Sequence, residues 1–243
     1  TGVANEYKVI ENSAQTFADN INEFSGMIGE RQVGCPLVVH RRCIEPMFSI
    51  SNMISYDNRM FNKTHKKEDY LKQEQPFLIK KSGWINVEGT ENGSKDHFVK
   101  NQAERVCQLL ENALHIYTNL YETDDKIFII TPFRTVAESM RKFVIGYFSV
   151  KGYDKEMLTK WTKNCVGTVH TFQGKDANEV LFVLGCSDKS VGAMNWVVKK
   201  ANILNVACTR AKYRIAFIGN LNDWKNRRYF REFIPKFIDT IDA

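Results

Sequence analysis

The strongest constraint on the fold is an alternation between short, continuous apolar segments and longer segments in which apolar residues recur every three or four positions. The short segments, which are rich in β-branched and aromatic residues and predict strands, lie at 126–131, 165–171, 179–186 and 214–219. The longer segments, which predict helices, lie at 98–121, 134–148, 154–163 and 201–211. Apolar strands separated by helices are typical of parallel sheets that are covered on both faces. We therefore predict an α/β fold with a mostly parallel sheet and helices on both faces.

The N-terminal part of the chain predicts a less regular arrangement. Apolar residues at helical spacing over 6–24 indicate an amphipathic helix, which the glycines of the following segment end. We interpret residues 1–34 as an N-terminal helical segment that packs on a domain formed by residues 35–243. Further elements of that domain are predicted as strands at 36–40 and 84–87, helices at 47–56 and 230–238, and a polar, exposed excursion at 57–76.

Composition excludes several classes of protein. The chain has 243 residues, of which 43% are hydrophobic and 26% charged, so it is globular and not disordered. Its apolar runs are far shorter than the roughly 20 residues that span a bilayer, which excludes a transmembrane segment. The six cysteines form no C-x-x-C pair and no zinc-ligand spacing with histidine, so we predict buried, reduced thiols and no metal site.

The N-terminal end of the sequence bears on the cellular compartment and on the length of the polypeptide. No secretory signal opens it, which favours a reducing cytoplasm, and the bacterial cytoplasm over the nucleus. Because the first residue is Thr1 and not methionine, we expect the chain to be part of a longer polypeptide.

Positive charge is unevenly distributed along the chain. The net charge is +6, but residues 194–231 hold nine lysines and arginines against a single acidic residue, Asp223. This concentration makes a polyanion a candidate partner, whereas the alternative is an ordinary solvated basic face.

The segment from Gly167 to Asp176 contains a Gly-Lys pair but is not a phosphate-binding loop. The pattern G-x-x-x-x-G-K-[ST] would need glycine at Val169 and a hydroxyl residue at Asp176. Without that hydroxyl, and without a strand that ends in an acidic pair, the chain has no magnesium ligands of its own. It therefore cannot be a complete P-loop ATPase.

Four segments resemble motifs of the superfamily I helicases. ILNVACTRAK resembles their sixth motif, VGTVHTFQGKDANEVLFVL their fifth and FIITPFR their fourth, while VVHRRC…SNMISYDNRM resembles the segment that opens their second RecA-like domain. Order and spacing also agree over residues 35–220. The resemblance is greatest to the branch that includes the nonsense-mediated-decay helicase and related bacterial helicases. It implies a three-layer RecA-like domain of the P-loop NTPase type.

The resemblance implies one half of an ATP site. Arg42 matches the arginine that reaches the γ-phosphate, and Arg210 matches the arginine finger of the sixth motif. Guanidinium groups suit this role because they are permanently charged and bind two phosphate oxygens at once. The other residues assigned to ATP by this resemblance are His40, Arg41, Gln173, Gly174 and Asp176. Asp176 replaces the family's usual glutamate, and His40 and Arg41 replace its usual glutamine and tyrosine. Magnesium would be held by an upstream RecA-like domain of the same polypeptide.

The resemblance also implies a surface for single-stranded DNA or RNA. The residues assigned to it are Thr131, Pro132 and Arg134 of the fourth motif and Thr168, His170 and Thr171 of the fifth. Hydroxyls and backbone amides at strand ends bind phosphates without reading sequence. His170 has a structural alternative as a hydrogen-bonded residue beside a strand. Trp196 lies among lysines but is left out of the site, because core packing explains a tryptophan equally well.

These features predict the C-terminal RecA-like domain of an ATP-dependent superfamily I helicase. We expect the isolated chain to be inactive as an ATPase, since the phosphate loop and the magnesium carboxylates are absent from it. The alternative is a helicase-like module that binds nucleic acid or a partner without turnover. A nuclease is disfavoured because no cluster of acidic residues for two-metal chemistry is apparent. The sequence does not distinguish DNA from RNA or fix the direction of translocation.

Overall fold

The computed structural model describes residues 14–28, 31–34, 38–64, 77–91, 93, 96–114, 116–117, 119–172 and 174–241. The strands within these ranges are β1 (Gly26–Ile28), β2 (Arg31–Val33), β3 (Val39–His40), β4 (Phe61–Asn62), β5 (Gly83–Asn86), β6 (Ile127–Thr131), β7 (Val166–Thr168), β8 (Ala177–Val183) and β9 (Ala211–Gly219). The α-helices are α1 (Ala14–Ile21), α2 (Met47–Ser55), α3 (Lys100–Ala113), α4 (Arg134–Ser149), α5 (Lys155–Cys165), α6 (Val191–Val197), α7 (Asn202–Arg210), α8 (Leu221–Trp224) and α9 (Phe230–Phe237). Short 3₁₀ helices occupy Leu120–Thr123 and Asp188–Ser190.

The centre of the fold is a parallel sheet of five strands in the order β5-β9-β8-β6-β7. All five residues of β6 are buried, as expected for a strand that is covered on both faces. Aromatic rings pack on the sheet as well. Phe182 of β8 and Phe217 of β9 meet edge to face, with their ring centroids 5.9 Å apart. The predicted α/β fold with a parallel sheet is thus confirmed.

Two groups of helices flank the sheet. Helix α4 packs against α3, α5, β6 and β7, whereas α2 packs against α7, α9 and β9. The contact between α2 and α7 includes a short hydrogen bond from the Ser51 hydroxyl to the side chain of Asn205. The Ile44 N–H donates to the Lys212 backbone oxygen at 3.1 Å, which places the segment before α2 beside the start of β9.

Several element boundaries differ from the sequence prediction. Helix α3 ends at Ala113 and not near 121, because the Asn119 side chain caps a separate 3₁₀ turn by accepting the Glu122 N–H. The strand predicted at 165–171 is only β7, since α5 extends through Cys165 and the backbone turns after Thr168. Helix α6 and the β1–β2 hairpin were not predicted.

The polar segment 57–76 is only partly an excursion. Its first residues include β4, which pairs in parallel with β3, while residues 65–76 lie outside the described residues. The predicted N-terminal helix is described over α1, and its first part, 6–13, likewise lies outside. The five described cysteines, at 43, 107, 165, 186 and 208, are buried thiols, as predicted; Cys35 lies outside the described residues.

Candidate functional site

The predicted site residues gather at the two opposite ends of the parallel sheet. One group follows the carboxyl ends of β6 and β7, where α4 begins and where the chain turns after Thr168. The other group surrounds the amino-terminal ends of β8 and β9, where Ala177 pairs with Ala211. The chain between β7 and β8, residues 169–176, crosses β6 to join the two ends and is called the connecting segment below. Its Phe172 is buried and stacks on Phe128 of β6 at 4.3 Å.

Arg210, the last residue of α7, is held by the connecting segment. Its side chain is only 6% exposed, and Nη1 donates hydrogen bonds to the backbone oxygens of Phe172 at 3.2 Å and Lys175 at 2.7 Å. The Nε atom is buried and has no hydrogen-bond partner among the described residues. Leaving a buried donor of a charged group unpaired is costly, so this atom points to a missing acceptor.

The positive charge of Arg42 acts on Arg210. Burial lowers the pKa of Arg210, and the positive charge of Arg42 lowers it further, against an opposing contribution from Asp176. A backbone hydrogen bond from Ile44 to the Lys212 oxygen at 3.1 Å fixes the Arg42 loop beside the start of β9. Two guanidinium groups at one point repel each other, and an anion between them would relieve that repulsion.

His40 is buried and supports the same loop. Its Nε2 accepts a hydrogen bond from the Cys43 backbone N–H at 2.9 Å, and its ring lies 5.2 Å from that of Phe48. Arg41 and Arg42, by contrast, are exposed. The structure therefore places the His40 ring inside the turn that presents the two arginines.

The remaining residues predicted for ATP lie along the connecting segment and its end. Asp176 forms an ion pair with Lys212 at 2.8 Å, with both side chains partly exposed. Gly174 is exposed and has a φ of +87°, a backbone conformation that favours glycine. Gln173 lies outside the described residues.

At the opposite end of the sheet, an open depression of about 500 Å³, called the first depression below, collects five of the six residues predicted for nucleic acid. These five are Pro132, Arg134, Thr168, His170 and Thr171, and the lining also includes Phe133, Ala137, Glu138, Arg141 and Trp196. The sixth, Thr131, is buried beneath it, and its hydroxyl accepts the Phe133 N–H at 3.4 Å. Thr131 is therefore placed to support the loop and not to touch a ligand.

Backbone and side-chain contacts shape this depression. The Thr171 hydroxyl accepts a hydrogen bond from the Thr168 N–H at 3.1 Å. A Cβ atom at position 167 would lie only 2.8 Å from the Cβ of Thr171, so the turn requires Gly167. Arg141 donates from Nε and Nη2 to the Val166 oxygen at 2.9 and 2.6 Å, which fixes its positive charge at the lining. The surface thus offers hydroxyls and cations, which bind phosphates.

Comparison with known proteins gives the family. Residues 23–222, most of the chain, match the AAA domain family (AAA_12). The chain belongs to the AAA domain family. A protein named as an uncharacterized ATP-dependent helicase, from Methanocaldococcus jannaschii, is 26% identical over 214 residues. The match covers 82% of this AAA domain chain and 28% of that protein, so the chain spans less than a third of this relative. The predicted helicase-like family of P-loop NTPases is confirmed at this level.

The residues of the AAA domain fit the anionic part of a nucleoside triphosphate. The Nε of Arg210 has no acceptor among the described residues, and the positive charge of Arg42 acts on the same guanidinium, so this position suits a negatively charged group. Asp176, the carboxylate whose charge acts on Arg210, is already paired with Lys212. The Asp176 carboxylate is therefore engaged with Lys212 and is not assigned as a magnesium ligand.

A second cluster of the AAA domain has metal-ligating residue types. Ligand atoms of Glu91, His97 and Cys186 lie within 4.8 Å of one another, which the sequence did not predict. Glu91 already accepts hydrogen bonds from the Ser187 N–H and the Ser190 hydroxyl, each at 2.8 Å. Burial raises the pKa of Cys186 to about 12, so that it remains a thiol. The hydrogen bonds to Glu91 make this cluster a hydrogen-bonded junction between the segments that carry Glu91 and Ser190.

Sequence reasoning missed two residues of the first depression. Arg141 appears in the sequence as one polar position of an amphipathic helix, and only the crossing of α4 over the end of β7 brings it to the surface in question. Trp196 was left out of the predicted site because core packing explained a tryptophan equally well, whereas in the structure it is 52% exposed on α6, a helix that was not predicted. Its basic neighbours Lys199 and Lys200 were the available signal. In the described part of the AAA domain, none of the helices is long and apolar enough to cross a membrane.

Proposed function

We propose that this AAA domain is the C-terminal RecA-like domain of an ATP-dependent superfamily I helicase that moves along single-stranded DNA or RNA. The observation that carries the proposal is the buried Arg210, whose Nε has no acceptor among the described residues and whose pKa is lowered by burial and by the positive charge of Arg42. An ordinary surface arginine has no reason to be buried next to a second cation. ATP would supply the γ-phosphate whose negative charge these two guanidiniums stabilise.

The connecting segment supports a mechanical role for the domain. Arg210 bonds to the backbone oxygens of Phe172 and Lys175, and the same segment begins at Thr168, which lines the first depression. A shift of Arg210 toward a phosphate would therefore be transmitted to the turn that contacts the strand. This arrangement links the nucleotide end of the sheet to the nucleic-acid end through fewer than ten residues.

An upstream RecA-like domain of the same polypeptide would complete the ATP site and the wall of the channel. The helicase name of the relative from Methanocaldococcus jannaschii and its greater length agree with a two-domain enzyme. In this arrangement the two domains close on the nucleotide, and reopening after hydrolysis moves one domain relative to the other along the strand.

Arg210→Ala in the full-length protein tests the catalytic assignment. An arginine that stabilises charge developing in the transition state is worth about 10³–10⁵ in rate, so turnover of ATP should fall by that order while nucleotide binding weakens far less. Steady-state hydrolysis and equilibrium binding of a fluorescent nucleotide measure the two effects. Arg105→Ala is the matched control, because Arg105 lies on α3 beside the end of β5 and bonds Gln108.

If Arg210→Ala and Arg105→Ala both leave turnover within about twofold of wild type, a change of about 0.4 kcal/mol in the barrier, the catalytic assignment is wrong. A full-length protein that binds single strands but hydrolyses no ATP would instead favour the binding module without turnover.

The 243-residue chain by itself should hydrolyse no ATP above the buffer rate. The physical reason is that it offers two guanidiniums for the γ-phosphate but no phosphate loop and no paired magnesium carboxylates. Release of phosphate with and without single-stranded DNA measures this. Turnover by the chain alone that disappears in Arg210→Ala would show that the magnesium site lies within it.

A further inference from the structure

Trp196 is unusual among the tryptophans of the chain. Trp84, Trp161 and Trp224 are at most 3% exposed, whereas Trp196 is 52% exposed at the surface of α6. Burying an indole stabilises a fold, so leaving half of one in water forgoes part of that gain. An exposed indole at the edge of a depression that carries cations offers a surface on which a base can stack.

The ring separates two depressions. On one side it lines the first depression, together with Phe133 and Arg134. On the other side it lines an open depression of about 730 Å³, called the second depression below. The described residues that line the second depression are Gly192, Asn195, Trp196, Val198, Lys199, Asn226, Arg227 and Arg228. Trp196 is the residue that the two depressions share.

The second depression is positively charged. The described residues that line it include three cations, Lys199, Arg227 and Arg228, and no carboxylate. Arg227 is fixed in place: its Nε donates to the Asp223 backbone oxygen at 2.8 Å and its Nη1 to the Asn195 side chain at 2.6 Å. A fixed guanidinium next to an exposed indole offers a contact for a phosphate beside a contact for a base.

The indole is also held in position by its surroundings. Met194 and Val197 anchor α6 in the core, and the Phe133 ring lies 5.8 Å from that of Trp196. The Ser190 hydroxyl donates a hydrogen bond to the Glu91 carboxylate at 2.8 Å, and Ser190 is the N-cap residue of α6. The hydrogen-bonded junction around Glu91 thus acquires a role, because it sets the position of the helix that carries Trp196.

We propose that a single strand continues from the first depression over Trp196 into the second, with one base stacked on the indole and backbone phosphates against Lys199, Arg227 and Arg228. The inference rests on the proposed function for the existence of the strand, and it adds a stacking residue and a basic exit that the helicase motifs do not contain. Stacking on an aromatic face accepts any base, which suits an enzyme that moves along the strand.

Tryptophan fluorescence of the intact chain tests the contact directly. Three of the four tryptophans are buried, so a dT oligonucleotide of about 20 nucleotides should quench mainly Trp196. Trp196→Ala should weaken binding of this oligonucleotide about 5- to 150-fold, the range for loss of one stacked base, and Trp196→Phe should weaken it less, because a phenyl ring still stacks. Lys163→Ala, an exposed lysine on α5, is the control and should change nothing.

The outcomes separate this inference from the proposed function. Arg134→Ala alters only the first depression. If Arg134→Ala weakens binding while Trp196→Ala and Trp196→Phe bind like wild type without loss of quenching, the stacking inference is overturned and the proposed function stands. If the wild-type chain and the full-length protein both fail to bind the oligonucleotide at low salt, the proposed function is contradicted, and the stacking inference, which rests on it, is contradicted as well. Should Trp196→Ala unfold, quenching in the wild type and the affinity of Trp196→Phe still decide the matter.

Discussion

Arg210 and Glu179 are both buried charged residues, and their hydrogen bonds give them opposite interpretations. Both carboxylate oxygens of Glu179 are used, accepting the backbone N–H groups of Leu78 and Ile79 at 2.7 Å each. Arg210 donates from Nη1, but its Nε has no partner in the part of the chain that the structure describes. A satisfied buried charge is explained by the structure it holds together, whereas an unsatisfied one requires a ligand.

The stability of the chain should depend on pH through Glu179. Burial raises the pKa of Glu179 from 4.5 to about 7, against the opposing effect of the two backbone amides and Arg214. A raised folded-state pKa contributes stability that is fully present below the unfolded value and is lost as pH rises through the folded value. The advantage of wild type over Glu179→Gln in the free energy of unfolding should therefore shrink between about pH 5 and pH 8.

Urea unfolding of both proteins across this pH range measures the difference. A gap that stays constant from pH 5 to pH 8 would mean that the Leu78 and Ile79 amides keep the carboxylate ionised throughout this range. Glu138→Gln on α4, a partly exposed carboxylate paired with Arg134, provides a comparison and should show no such trend through pH 7.

Among the elements, the connecting segment has the largest consequence for function because it touches both ends of the sheet. Its anchor is Phe172, fully buried against Phe128. Phe172→Ala should lower the free energy of unfolding by about 3–5 kcal/mol through lost burial and a cavity, and should loosen the carbonyl oxygens that hold Arg210. Phe172→Leu fills more of the space and should cost clearly less. Equal stability of the wild type and Phe172→Ala in urea unfolding would contradict this role.

The strands and long helices were predictable because burial imposes a periodicity that the sequence displays. Helix α4 was predicted at 134–148 and is Arg134–Ser149. The prediction is close at both ends because the buried residues recur at helical spacing along the whole helix. Helix α6 was not predictable in the same way, since only Met194 and Val197 of its seven residues are buried. The burial of Arg210 also depends on tertiary packing, because the motif identifies the residue but not the carbonyl oxygens that receive it.

In the candidate site, local sequence indicated which residues matter but not what each one does. His40 and Thr131 fall within the predicted motifs, yet both are buried and hold turns that present their neighbours. Trp196 lies outside the motifs and is exposed at the junction of the two depressions. Whether a side chain faces solvent or the core is decided by contacts between distant segments, which a short motif does not encode.

For the whole molecule, the distribution of charge is more informative than its sum. The net charge of +6 is modest, but nine of the basic residues fall in 194–231, the part of the chain that contributes Arg210 and the lining of the second depression. The structure divides this basic stretch between the two ends of the sheet. The part with Arg210 lies at the predicted γ-phosphate position, and the other part lines the second depression on the predicted path of the strand. A single-stranded polyanion and a triphosphate would therefore bind at separate places.

Salt should therefore separate the two kinds of nucleic-acid contact. Each phosphate neutralised on a single strand contributes about −0.7 to the slope of log affinity against log salt concentration. Lys199→Ala combined with Arg228→Ala removes two cations from the second depression and should make the slope shallower by about 1.4. Trp196→Phe should lower affinity without changing the slope, because stacking releases no counterions. Fluorescence anisotropy of a labelled dT oligonucleotide between about 50 and 200 mM salt measures both quantities. A double variant with the wild-type slope would exclude phosphate contacts with Lys199 and Arg228.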